Sequence, residues 1–405
     1  MRPARLPVPP SRPGRSRVAG QRIRASQRIR RGLAALLALS VAACTGGLPP
    51  RADPSRPTIA YLFDGSPPDA ELVSASALAG VELAAHEAGA VEIEPVNLGL
   101  DRTEVMSTLG ALAEDSAVVA AVIAPWTAPP AGAIDLLAAH GLPVVSLSWA
   151  WGPPSDGDGV WLSLAAGRAQ EAVLLLSTAD VAPEDATLCL AGDEHPTSRA
   201  LLATAAELAR AAGDPDIVMA GTVAEGDVPI ADPVADRIEE ERCPVLAWTG
   251  GTTGAEALLS RLPESPALVV GASRIGTDDG LALATAGRDV ITVCACVSVN
   301  LSLEPDHMRF VHDLQAASGA PPGPYSVEAY DAGRFLVDLV AGAGSDDPRG
   351  ILSAALEEPA EIPGLAGSYR FEADGSRAPE TLRVGAWRAT GSRWLPVEPL
   401  TGAPA

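Results

Sequence analysis

The chain has 405 residues and a formal net charge of −22, its 29 basic residues, every one an arginine, standing against 51 acidic ones. Ten of the arginines fall in residues 1–43, which contain no acid, so the remainder of the chain carries −32. A body this acidic repels phosphate backbones and argues against nucleic-acid binding; its 47% apolar composition is too high for a disordered tail, and no apolar run reaches the 18 residues of an ordinary transmembrane helix.

Residues 2–31 are rich in arginine and proline and lead into an apolar run at 32–43, GLAALLALSVAA. Twelve helical residues span about 18 Å, short of a hydrocarbon core of about 30 Å. A basic stretch, a short apolar run and small residues at its end predict a signal peptide over 1–43. Val41-Ala42-Ala43-Cys44 resembles the lipobox of bacterial lipoproteins. That resemblance implies cleavage before Cys44 and lipidation of the cysteine (a diacylglyceryl group plus an N-acyl chain such as palmitate), enough for stable membrane anchoring. An ordinary signal cleaved near Ala43 is the alternative. Arg30-Arg31 leaves both Sec and twin-arginine export open. Residues 44–57, with four prolines and no apolar periodicity, read as a tether holding the body at the extracytoplasmic face.

The body alternates strand and helix signals. Residues 58–63 (TIAYLF) are a short apolar run of the kind a buried parallel strand shows. Residues 69–87 place Leu72, Ala75, Ala79 and Leu83 at helical spacing. The cycle continues with strand 91–96, helix 101–114, strand 118–123, helix 131–139 and strand 144–147. Strand starts near 58, 91, 118 and 144 suit βαβ units of about 30 residues. A looser stretch at 151–159 separates a second series: helix 167–178, strand 186–190, helix 198–212, and strands 217–223, 244–249, 267–271 and 290–299. Helices near 232–241, 254–261 and 278–286 lie between those strands. Two helices follow at 306–317 and 326–341. Three short antiparallel strands close the body at 367–371, 382–388 and 394–397, with a turn at Ala373-Asp374-Gly375. The expected fold class is α/β, with two doubly wound parallel-sheet lobes. Ligands of such sheets sit beyond the carboxyl ends of the strands, here in the cleft between the lobes.

Four stretches carry a family resemblance. Residues 58–67 (TIAYLFDGSP) lead into a helix ending HEAGA; 119–125 (VAAVIAP) and 142–148 (LPVVSLS) form a strand pair; 187–193 (TLCLAGD) precede a long helix; and 321–340 (PPGPYSVEAYDAGRFLVDLV) join a Pro-rich turn to a Tyr-Asp-Ala helix. Together, over about 57–398, they are similar to the extracytoplasmic solute-binding proteins of the leucine-binding (branched-chain amino-acid) type, the type 1 periplasmic-binding fold that usually partners an ABC transporter. The resemblance implies three chain crossings, giving one lobe at 57–164 with 298–362 and another at 165–297 with 363–398, followed by a tail at 399–405. It also implies a ligand held by loops of the first lobe that match Ala124-Pro125-Trp126-Thr127 and Ser146-Leu147-Ser148-Trp149-Ala150. Thr127 is then the leading candidate, with a helix N-cap as its structural alternative. Ser148 stands in for a threonine that the family often has at Ala150. Ser66, in the loop after the first strand, joins this set.

Trp126 and Trp149 directly follow strand ends, and Trp149 and Trp151 share a face if that segment is extended. An aromatic wall for a planar or cationic ligand is one reading of them, and core packing the other. From the second lobe the candidates are Glu194 and His195, Trp248 and Thr249, and Ser273 and Arg274, each pair after a strand. The family's ammonium-binding acid has no clean match, Ser273-Arg274 standing in that loop, where an arginine favours an acidic ligand group.

Enzymatic signals are weak. Residues 271–276 (GASRIG) lack nucleophile-elbow spacing, residues 250–254 (GGTTG) lack the lysine of a phosphate-binding loop, and the five histidines do not fall at metal-ligand spacing. No cofactor or metal is expected. Cys189, Cys243, Cys294 and Cys296 allow three pairings; Cys189–Cys243 is feasible, and Cys294–Cys296, about 6.6 Å apart if extended, is the least favoured. The expectation is a monomeric, lipid-anchored solute-binding protein without catalysis, passing a small polar organic ligand (amino-acid-like or amide-like) to an ABC transporter permease. A sensing or scaffolding lipoprotein and a cell-surface hydrolase remain alternatives.

Overall fold

The computed structural model describes residues 56–397, apart from short stretches at 65–67, 100, 156–160, 180–185, 214–215, 225–231, 263–264, 278, 298, 300–301, 320, 344–346, 358–360, 384 and 392. The expected signal peptide, Cys44, the expected tether up to residue 55, Ser66 and the expected 399–405 tail therefore lie outside the described residues. Among those described, no helix is long and apolar enough to cross a membrane.

The first lobe is a five-stranded, all-parallel sheet of order β2-β1-β3-β4-β5. Its strands are β1 (Thr58–Phe63), β2 (Glu92–Asn97), β3 (Val118–Ile123), β4 (Val144–Ser146) and β5 (Trp161–Ser163). β3 (VVAAVI) is buried along its whole length, as a central strand covered on both faces must be. Between the strands run α1 (Pro68–Ala88), α2 (Arg102–Glu114) and α3 (Ala133–Ala139). Asp101 caps α2, its carboxylate accepting from the amides of Thr103 and Glu104. β5 gave no sequence signal, being three residues long beside a Gly- and Asp-rich stretch.

The second lobe is a seven-stranded sheet of order β14-β13-β10-β9-β8-β6-β7. β6 (Leu188–Asp193), β7 (Ile217–Val223), β8 (Val245–Trp248), β9 (Leu268–Gly271) and β10 (Asp289–Cys294) are mutually parallel. β13 (Gly385–Thr390) and β14 (Arg393–Val397) add on antiparallel. Its helices are α4 (Arg168–Ala179), α5 (Pro196–Ala212), α6 (Asp232–Glu241) and α7 (Thr252–Ser260). Residues Asp279–Ala286, expected as an α-helix, form 3₁₀ turns. Cys189 in β6 is bonded to Cys243, just before the neighbouring strand β8. Cys294 is bonded to Cys296, which corrects the expectation from extended spacing: β10 stops at Cys294, the chain bends, and the two Cα atoms come to 5.0 Å.

After β10 the chain returns to the first lobe as α8 (Pro305–Ser318), α9 (Ser326–Ala343) and α10 (Pro348–Glu357), the last of which the sequence did not signal. α9 lies along α1, and α10 packs on β3. The contact between α1 and α9 is close enough to need glycine. A Cβ on Gly80 would stand 2.3 Å from the Ser326 carbonyl oxygen and 3.0 Å from the Tyr330 amide nitrogen, both backbone atoms that move only if the helices part. Gly80→Ala should therefore cost about 1–3 kcal/mol and lower the calorimetric melting temperature by several degrees; an unchanged midpoint would show that the pair can separate freely.

The strands between the lobes are gathered by one buried polar cluster. Glu328 of α9 accepts the Val297 amide at 2.7 Å. Asp331, one turn on, accepts from the Leu365 and Ala366 amides and the Tyr369 hydroxyl, on the hairpin of β11 (Ile362–Gly364) and β12 (Gly367–Tyr369). Arg377 sits 4.3 Å from the Tyr369 ring centroid and donates to the carbonyl of Leu164 at 3.0 Å. The predicted turn at Ala373-Asp374-Gly375 forms here. Gly375 has φ +80° and its carbonyl accepts the Ser163 amide, with a would-be Cβ only 2.1 Å from the Trp161 carbonyl oxygen.

Candidate functional site

In both lobes the central strands reverse order at one place, between β1 and β3 in the first and between β6 and β8 in the second. Loops at the carboxyl ends on either side of such a switch point are where doubly wound sheets hold ligands. In the first lobe these are Asp64 after β1 and Ala124–Thr127 after β3, with Ser148 and Trp149 beside them after β4. In the second they are Asp193 and His195 after β6 and Thr249–Thr252 after β8, with Ser273 and Arg274 after β9.

The two sets of loops meet. Trp126 Nε1–H donates across the cleft to Ser273 Oγ at 3.0 Å, and Trp149 Nε1–H donates to Glu171 Oε2 of α4 at 2.7 Å. Asp64 and His195 face each other at 3.9 Å, both buried. The Arg274 guanidinium lies 5.8 Å from the Trp126 ring centroid, and that of Arg168 the same distance from the Trp149 ring. The two indoles meet edge to face, with centroids 6.4 Å apart and planes at 74°. Trp126 and Tyr325 have φ of 63° and 62°, a left-handed backbone that bulky residues adopt only where the surroundings enforce it, at about 1–3 kcal/mol each. Both turn toward the same partner, Ser273.

Charge in the cleft is arranged around Asp193 and Glu171, beside the Asp64–His195 pair. Asp193 accepts the amides of His195 and Gly251 and lies 3.4 Å from Arg274 Nη1 through both oxygens. Among the described residues, no cation is paired with Glu171. Burial pushes its carboxyl up to about 7, while hydrogen bonds from Trp149 and Ser273 pull the other way. Burial also raises the Tyr325 hydroxyl well above its ordinary value, with the Glu171 charge adding to it. His195 caps α5, its Nδ1 lying 3.4 Å from the Thr197 amide nitrogen and 2.6 Å from the Thr197 hydroxyl. Buried polar atoms without a hydrogen-bond partner occur in several parts of the described structure, and those of the cleft include Thr127 Oγ1, Glu171 Oε1 and His195 Nε2. Orphaned buried polar atoms are costly and rare, and a group of them in one cleft points to a ligand that satisfies them.

The sequence candidates separate into those the structure gathers and those it does not. Trp126, Trp149 and Ser273 are joined directly, and Thr127 and Ser148 are linked by the Ser148 hydroxyl donating to the Thr127 carbonyl at 3.0 Å. Trp151 does not share a wall with Trp149. The segment is a turn closed by the Trp151 amide on the Ser148 carbonyl, so Trp151 is fully buried while Trp149 is only partly so. Trp248 is also core: it is fully buried in the cluster that holds Ala255, Leu258 and Val269, and its Nε1–H donates to the Gly251 carbonyl. Glu194 is exposed, its amide held by Val223 of the edge strand β7. Asp64, Glu171, Asp193 and Tyr325 were not singled out. Glu171 reads as an ordinary acid in the first turn of a helix, and only the Pro-rich approach to Tyr325 hinted at a special backbone.

Among solved structures, the chain is similar to the branched-chain amino-acid substrate-binding protein LivJ of Streptococcus pneumoniae, in complex with isoleucine, at 17% identity and a TM-score of 0.64 over 85% of this chain and 100% of that one. It is similar to the leucine-binding protein LivK of Thermotoga maritima at 14% identity and 0.65, over 84% and 97%. An ABC-transporter solute-binding protein from R. palustris, in complex with benzoate, matches at 15% identity and 0.63, over 85% and 96%. These likenesses carry the fold. No curated protein matches the sequence. A model of the family described as periplasmic binding protein matches residues 57–392. With two parallel-sheet lobes in the type 1 arrangement and a match across most of its length, the chain belongs to the periplasmic binding protein family.

Proposed function

We propose that this protein captures a small polar organic ligand between its lobes, outside the cytoplasm, and hands it to an ABC transporter, with no catalysis of its own. The supporting observation is the set of orphaned polar atoms that includes Thr127 Oγ1, Glu171 Oε1 and His195 Nε2, contributed from both sides of the cleft. A ligand that bonds to both lobes holds them together, the capture logic of hinged binding proteins. The proteins it resembles hold isoleucine or benzoate, and an amino-acid-like or amide-like molecule suits the mixed donors and acceptors here. Thr127 and Ser148 are assigned to the ligand from the first lobe and Ser273 from the second. The protein is assigned to the membrane through lipid on Cys44, as a monomer.

Native mass spectrometry of the purified protein should reveal a bound small molecule, and that molecule should raise the melting temperature without being turned over. The capture reading fails if nothing is bound and no small polar compound stabilises the protein. Trp126 and Trp149 should report binding: tryptophan fluorescence changes with ligand, and Trp149→Phe, which keeps an aromatic group but removes the indole and its N–H donor to Glu171, should lose most of that change. A titration identical to the native one would remove Trp149 from the cleft's response.

A further inference from the structure

We propose that the Cys294–Cys296 disulfide is a redox-controlled stop in the second crossing, between β10 and α8. Bonded, it turns the chain onto α9; reduced, it lets the segment straighten and releases the crossing from Glu328. The two disulfides of the described residues differ in kind. Cys189–Cys243, with a sequence separation of 54, ties neighbouring strands of one lobe. Cys294–Cys296 has a separation of 2. A cross-link stabilises a fold mainly by restricting the unfolded chain, and that gain rises with the length of the loop it closes. So small a ring gains little in this way, and what it fixes is the local direction of the chain.

That direction runs against the local sequence. Residues 290–299 (VITVCACVSV) are rich in β-branched side chains and favour a strand throughout, yet β10 stops at Cys294. Extended backbone would set the two cysteine Cα atoms about 6.6 Å apart, and the disulfide holds them at 5.0 Å. Local preference and fold disagree at this one place, and the cross-link sides with the fold. The next residue carries the consequence. The Val297 amide donates to Glu328 of α9 at 2.7 Å. β13 begins at Gly385, opposite Cys294, so no β13 ladder continues beyond that point to take the amide instead. One turn along α9, Asp331 holds the third crossing through the Leu365 and Ala366 amides. The disulfide thus sets the path of one crossing where a single helix grips two.

Reduction needs a dithiol. One of its thiolates attacks a sulfur of the pair, forming a mixed disulfide and freeing the other cysteine, which takes a proton. The second thiol of the reductant then displaces the remaining cysteine, leaving two protein thiols and an oxidised reductant. Both cysteines are buried, so the attack waits on movement at the crossing.

Hydrogen exchange of the full chain, read by mass spectrometry with and without dithiothreitol, tests the proposal. Reduction should speed exchange of the Val297 amide about tenfold, as loss of its hydrogen bond allows, and reoxidation should restore it. Peptides from β1 and β3 should not change. Cys294→Ala/Cys296→Ala should exchange fast at Val297 without reductant and no longer respond to it, whereas Cys189→Ala/Cys243→Ala should keep the full response. The reductant experiment on the native chain stands even where a variant fails to fold. Val297 exchange that is unchanged once thiol labelling shows both cysteines reduced overturns the proposal. So does acceleration shared by β1 and β3, which marks general loosening, or a peptide map of the native protein without a Cys294–Cys296 bond.

Discussion

Replacing Arg377 with methionine should destabilise the protein by about 3–5 kcal/mol, the usual cost of removing one partner from a buried charged cluster. Arg377 is 4% exposed, yet it lies among Glu328, Asp331 and Tyr369 and bonds the Leu164 carbonyl of the first crossing. Burial raises Glu328 to about 7 and raises Asp331 as well, and Arg377 opposes both shifts. Without the arginine both carboxyls rise further. A carboxyl raised on folding contributes stability that is full below its unfolded value and is lost as pH rises through the folded one. The deficit of Arg377→Met should therefore be largest near pH 8 and shrink toward pH 5, where Glu328 is neutral. Urea melts across that range would check it, and a deficit independent of pH would mean the arginine acts through packing alone.

Asp193→Ala should cost a similar amount, on the order of 3–5 kcal/mol, because it strips four hydrogen-bonding contacts from the second lobe. The Arg274 guanidinium, fully buried, loses its carboxylate, and the amides of His195 and Gly251 lose their acceptor. The double variant with Arg274→Met should be less unstable than Asp193→Ala alone, since no buried charge is then left without its counter-ion. Additive losses in chemical denaturation would show that the two side chains do not depend on each other. The same single variant should weaken ligand capture, because His195 and the Arg274 that flanks Trp126 are both positioned from Asp193.

The scaffold was legible because its strands are buried on both faces. TIAYLF and VVAAVI gave their limits from apolar runs alone, and IVMAGTV did so as a partly buried edge strand. The cleft was legible as a set of strand ends, and Trp126, Thr127, Ser148, Trp149 and Ser273 all lie there. Pairing across the cleft was not. Trp149 and Glu171 are 22 residues apart and Trp126 and Ser273 are 147 apart, and nothing local in sequence marks which helix acid will be sealed inside. Trp248 misled for a related reason. A tryptophan at the end of a strand has two places to go, and the side of the sheet it takes depends on pleat register rather than on its position in the chain. Cys294 and Cys296 misled because the strand was read five residues too long.

The interleaving of the two lobes along the chain has a consequence in time. The first sheet is complete by Ser163, but α8, α9 and α10, which pack beside α1 and β3, arrive only with residues 305–357. The second sheet waits for β13 and β14, at residues 385–397. As the polypeptide emerges from one end, neither half can finish before nearly the whole chain is available. Both lobes therefore finish their packing late and together, when the last segments of the chain arrive.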